Sequence, residues 1–252
     1  MLDVTALSNE IHARLREHAS AERQRIAVTY FPTSMEVIGV SVPDLRAVVR
    51  EFARRLKGEP PEEVLRLADA IIDANTFEGR QVAYELLYRH RGAMAALTAD
   101  DVERLGRGMD NWASVDAFAG TISGPLWAKG RMEDATFLRW AKSPDRWWRR
   151  AAVVSTVVLS RESTGQASER VLAVCELVAS DRDDMVAKAL SWALRALSAF
   201  DREAVVAFVK RHEAELPSRV RREVATKLST GLKTKRRQRL TGHAPRTRLQ
   251  LG

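Results

Sequence analysis

Apolar residues recur every three to four positions along almost the whole chain, and no stretch shows the strict alternation of a half-buried strand. That period limits the chain to an all-α fold. It predicts helices over 4–19, 21–30, 43–56, 61–73, 77–89, 99–108, 112–123, 133–142, 145–160, 167–180, 183–198, 201–214 and 218–230. Several carry start signals. Pro43 and Pro61 stand in first turns, and Thr98 lies three residues ahead of Asp101 as an N-cap.

About a dozen short helices with short connectors do not make one simple bundle. They suit stacked hairpins of about 40 residues each, as in HEAT and armadillo arrays. The expected fold is an α-solenoid over residues 1–232 with a concave basic groove. Residues 233–252 form a basic, mostly flexible tail in this reading. It holds seven Lys or Arg and no acid, against a net charge of +8 for the chain. Such a balance suits an anionic partner, and nucleic acid is the commonest for a soluble protein.

Composition removes other classes. The chain is 45% apolar and 29% charged, so it can bury a core. No apolar run approaches the roughly 18 residues that span a membrane, and the first residues lack a secretory signal layout. The single cysteine, Cys175, lies on an apolar helix side and reads as a buried thiol in a reducing cytoplasm. Five scattered histidines offer no metal-ligand spacing, so no metal and no cofactor are expected. Any chemistry must come from carboxylates, aromatics and cations.

Three helices carry such groups. In 112–123, Val115, Phe118, Ala119 and Ile122 form an apolar stripe, with Trp112 at its edge and Asp116 one turn on. Alone, that pair reads as a core aromatic beside an exposed carboxylate. In 145–160, Trp148, Ala151, Val154, Ser155 and Val158 face inward, Arg150 borders them, and Arg149 points more nearly opposite. Trp147 and Trp148 suit core packing; Arg150 suits a phosphate or a salt bridge. In 183–198, Trp192 projects away from Val186, Leu190, Leu194 and Leu197, between Lys188 and Arg195. It either packs on a neighbouring repeat or meets a nucleotide whose phosphates the cations hold.

Taken in order, these motifs resemble the DNA alkylation repair family of HEAT-like glycosylases, the AlkD-like group. The matching pieces are DNWASVD, WWRRAA and KALSWALRALS, with GVSVPDLR (39–46) and GRQVAYELL (79–87) upstream. The resemblance implies excision of N3- and N7-alkylated purines from double-stranded DNA by a monomer. It implies catalysis by Asp116, Trp112 and Trp192, with Arg149, Arg150, Lys188 and Arg195 on phosphates. It also implies that the base need not enter a deep pocket. Two other readings remain open at this point: a non-catalytic binder of damaged or branched DNA, and a protein–protein adaptor.

Overall fold

The computed structural model describes residues 2–161 and 165–232. The basic segment 233–252, and with it the boundary at 232, lies outside the described residues. The order is α1 (Val4–Glu17), α2 (Ala21–Tyr30), α3 (Val42–Arg55), α4 (Pro61–Asp73), α5 (Phe77–Arg89), α6 (Arg91–Ala96), α7 (Ala99–Gly106) and α8 (Trp112–Phe118). It continues with α9 (Gly124–Ala128), α10 (Asp134–Ala141), α11 (Arg146–Leu159), α12 (Gly165–Leu177), α13 (Asp184–Leu197), α14 (Arg202–Arg211) and α15 (Ser218–Thr230). Among the described residues the only β pairing is an isolated bridge between Glu36 and Thr76. Among the described residues no helix is long and apolar enough to cross a membrane.

The helices stack as an α-solenoid. One layer runs α3, α5, α8, α11, α13 and α15, each packed on the next; α4, α10, α12 and α14 cover its back. From α5 onward the layer's helices start at Phe77, Trp112, Arg146, Asp184 and Ser218, so the repeat is 34 to 38 residues rather than about 40. Most starts are fixed by side chains that accept an otherwise unpaired N–H: Thr76 from Gly79, Asn111 from Ser114, Asp145 from Trp147, Asp183 from Met185 and Val186.

Two departures from the periodicity matter. The helix beginning at Trp112 does not stop at 123. It widens into a π-turn over Ala119–Ser123 and runs on as α9. Pro125 has no N–H and its ring crowds the carbonyl four residues back, so a wide turn just before it keeps the helix continuous. The helix around 145–160 is also not one-sided. Residues 151–157 are all buried, because α8, α9, α10, α12 and α13 surround it. Short α6, with Gly92 in its first turn, leaves no periodic trace in the sequence.

The segment before α3 is held from below. Glu78, buried in α5, accepts N–H bonds from Ile38, Gly39 and Val40 at 2.7–3.1 Å. Three donors satisfy a carboxylate that would be costly to bury alone. This pins 36–40, and with it Phe31 and Met35 over Phe77.

Packing is close where α7 meets α11. A Cβ on Gly106 would sit 2.5 Å from the Trp148 ring and 3.2 Å from Phe118. Gly106→Ala should therefore overpack the core and cost about 1–3 kcal/mol. The check is a melting curve, with a drop of a few degrees expected for a domain of this size.

Candidate functional site

The residues Asp110 and Asn111 act before the indole does. Asp110 accepts from the Thr33 hydroxyl and the Ser34 N–H, both at 2.5 Å. Asn111 caps α8 through Ser114 and donates to Thr33. Together they clamp the start of α8 to the segment after α2. Trp112 is thereby set edge-on to Tyr30, with ring centres 5.3 Å apart, and to Phe31 at 6.1 Å.

One turn on, Asp116 meets Arg150 from α11. Arg150 Nε and NH2 donate to the two carboxylate oxygens at 2.9 and 2.8 Å, a bidentate pair. Arg150 NH1 donates to the Met185 carbonyl at 2.5 Å, in the first turn of α13. The arginine side chain is 6% exposed and the aspartate 20%. Burial pushes the Asp116 carboxyl above its ordinary value; the hydrogen bonds and charge of Arg150 oppose that shift without cancelling it.

Around this pair lies an open cleft of about 600 Å³ lined by Tyr30, Trp112, Asp116, Arg150, Met185, Lys188, Trp192, Arg195, Arg219 and Glu223. Of the residues singled out from sequence, it gathers Trp112, Asp116, Arg150, Lys188, Trp192 and Arg195. Trp192 is half-buried, with part of its ring on the core and part in the cleft.

Arg149 is a correction. It lies outside the cleft, with Nε on Asp181 at 2.7 Å and NH1 on the carbonyls of Ser143 and Pro144. It ties the turn before α11 to the turn before α13. Arg150 is a second correction: its guanidinium is committed to Asp116 and Met185 rather than offered to a phosphate. Adjacent residues lie about 100° apart on a helix, so the partners 32 and 34 residues away decide which way each points.

Sequence reasoning missed Tyr30, Arg219 and Glu223. The cleft therefore holds a second carboxylate: Glu223 accepts from the Ser191 hydroxyl at 2.7 Å and lies 3.6 Å from Arg195. The cations at the rim are also less bare than expected. Lys188 pairs with Asp184 at 2.6 Å, and Arg219 reaches Asp184 and Glu223 at 3.4 and 3.5 Å. Half-exposed pairs of this kind are worth about 0–1 kcal/mol, so an incoming phosphate can displace them. Cys175 is no part of the site; burial pushes its thiol up to about 12.

A family model described as DNA alkylation repair enzyme matches residues 11–228, most of the chain. The chain belongs to that family. A solved structure described as "Predicted DNA alkylation repair enzyme from Enterococcus faecalis" superposes with a TM-score of 0.71 at 20% identity. The match covers 84% of this chain and 98% of that one, and so supports the same fold. Among curated proteins no match was found. DNA alkylation repair is thus the setting in which the cleft has to be understood.

Removing the arginine tests the cleft's framework. Arg150→Ala would leave Asp116 buried without its counter-charge, at a cost of about 3–5 kcal/mol. Chemical denaturation should show that loss, and NMR titration should show the Asp116 carboxyl moving further upward.

Proposed function

We propose that this chain is a DNA glycosylase that releases cationic N3- and N7-alkylated purines from duplex DNA. The observation that carries the reading is one half-buried carboxylate, fixed at both oxygens, in an open cleft edged by two indoles.

The chemistry fits that inventory. An N3- or N7-alkylated purine already carries a positive charge. When the C1′–N bond breaks, its electron pair neutralises the base, so no general acid has to protonate the leaving group. Positive charge moves to the sugar, as in glycoside hydrolysis. Asp116 then stabilises the sugar cation and orients the attacking water, which gives up its proton as the new C1′–O bond forms. Arg150 uses one lone pair on each Asp116 oxygen; the others remain for water or sugar. Arg150 is thus a positioning residue. It holds a preorganised charge that costs nothing to reorganise during reaction.

The indoles of Trp112 and Trp192 suit a cation, at about 0.5–2 kcal/mol per ring face. The cleft is open, which suits excision without drawing the base into a deep pocket and tolerance of bulky adducts. Lys188 and Arg219 hold the phosphates by exchanging half-exposed pairs for stronger ones, with Arg195, paired more deeply to Glu223, beside them. Arg149 acts only by keeping two turns together.

A second reading has support as well. Both Asp116 oxygens are bound to Arg150, as in a purely architectural ion pair, and a non-catalytic DNA binder on this scaffold would look the same there.

The deciding experiment is release of 7-methylguanine or 3-methyladenine from methylated duplex by the pure protein. Asp116→Asn should slow it about a hundredfold or more, on the order of 3 kcal/mol, with DNA affinity retained. No release by the parent leaves the binder. The ionised carboxylate is the working form, and its pKa is raised. The rate should therefore fall on acidification through a value above the ordinary 3.8.

Trp192→Ala tests the indole's task. Half-buried, it should cost less stability than the roughly 3–5 kcal/mol of a fully buried tryptophan. Excision should slow by about 2- to 30-fold, the equivalent of one cation–π interaction. Melting curves beside single-turnover rates separate the two effects. A large melting drop with unchanged turnover would place Trp192 in the core alone.

A further inference from the structure

At the other end of the same helix layer lies a second cleft, of about 560 Å³, between α3 and α5. It is lined by Arg50, Ala53, Arg54, Lys57 and Arg89. All four cations are exposed. On α3 the positions 46, 50 and 54 fall on one face, about 6 Å apart for each four-residue step, and Lys57 follows in the turn after the helix. Beside the cleft, Glu85 is shared by two arginines, Arg46 at 3.7 Å and Arg89 at 3.3 Å. Five cations thus face one acid. Like charges four residues apart destabilise a helix, so nothing within the fold accounts for the cluster.

The cluster continues the solvent-facing side of the layer that bears Asp116. On α3 that side is Arg46, Arg50 and Arg54, with Lys57 in the turn beyond it, and on α5 it is Glu85 and Arg89. On α8 it is Ala113, Asp116, Ala117 and then Gly120, all partly or fully exposed. On α13 it is Met185, Lys188, Trp192 and Arg195. Past Asp116 the middle of this surface carries only small side chains, so a broad polymer can approach the backbone closely there. Its two ends carry the cations. A small anion would use one end; a polyanion spans both. Two helix spacings separate α3 from α8, about 20 Å. That corresponds to about six base pairs at 3.4 Å each.

We propose that the α3–α5 cleft is a second DNA-backbone site, in which Arg50, Arg54, Lys57 and Arg89 hold phosphates of the duplex flanking the damaged nucleotide. This rests on the reading of duplex DNA as the partner, though not on base release. The site reads neither damage nor sequence. It sets how long a duplex the protein needs and how steeply binding falls with salt.

The test is fluorescence-anisotropy binding of two undamaged duplexes by the full chain and by the triple variant Arg50→Gln, Arg54→Gln, Lys57→Gln. One duplex has 25 base pairs; the other is a hairpin-closed stem of about 4, shorter than the roughly six base pairs between the clefts. For the long duplex the slope of log K against log salt should become shallower by about 0.9 for each phosphate no longer neutralised, about 2.7 for three. The affinity gap between parent and variant should then close about 40-fold between 50 and 200 mM salt. The hairpin should bind both proteins alike. Arg54→Lys, which keeps the charge, should behave as the parent, and the triple variant should melt no lower than the parent, since it loses like-charge repulsion. An unchanged slope with the long duplex overturns the proposal. So does an equal weakening on both duplexes, which would mean a general field rather than a second site. If the parent binds the long duplex with these properties but releases no methylated base, the glycosylase reading fails and this site stands. A parent that binds neither duplex overturns both.

Discussion

One guanidinium holds the cleft together. Arg150 of α11 binds the carboxylate of α8 through two donors and a carbonyl of α13 through a third. It therefore fixes three consecutive helices of the layer at one point. Taking both charges out of water is expensive, and a buried pair roughly breaks even against apolar residues of the same shape. Net stability does not explain it. What the pair supplies is position: an aspartate held at both oxygens, on a surface whose rim carries half-exposed, exchangeable ion pairs such as Lys188 with Asp184.

The rest of the site is assembled outward from that point. Asp110 and Asn111 lock the first turn of α8 to the segment after α2, so Trp112 stands beside Tyr30. Met185 fixes α13 relative to Arg150, and α13 in turn carries Lys188, Trp192 and Arg195 along one side. Arg149, one residue from the pivot, ties the turns behind the cleft through Asp181. The π-turn after Phe118 lets α8 run on through Pro125 without breaking the layer at its most crowded place. Fold and site share these elements, so damage to one is damage to the other.

Much of this is legible in the sequence, and what is not has a common cause. The helices show through periodicity and caps, and Trp112, Asp116 and Trp192 stand out because a helix wheel places them off the core stripe. Those are relations over three or four residues. Several missed features are set by partners about 28 to 35 residues away, on the next helix of the layer. Glu223 is such a case, since only its reach to Ser191 and Arg195 brings it into the cleft. The partners of Arg149 and Arg150, Asp181 and Asp116, are another. Tyr30 sits on a helix that buries no residue, so no stripe marks its inner face. The basic charge of the groove is lower than expected for two reasons: Asp184 and Glu223 stand one helical turn from Lys188 and Arg219, a spacing visible in the sequence, and they also reach Arg219 and Arg195 on a neighbouring helix, which is not.

If Arg150 acts on the reaction only by holding Asp116, the two must behave as one unit. The direct measurement is a double-mutant cycle on the single-turnover rate of base release, using Asp116→Asn, Arg150→Ala and the pair, each corrected for its folded fraction. The account predicts that the double variant is no slower than Asp116→Asn alone, because the arginine has nothing left to position. Rate losses that multiply, with the double variant slower by the product of both single effects, would show that Arg150 touches the reaction independently and would contradict it.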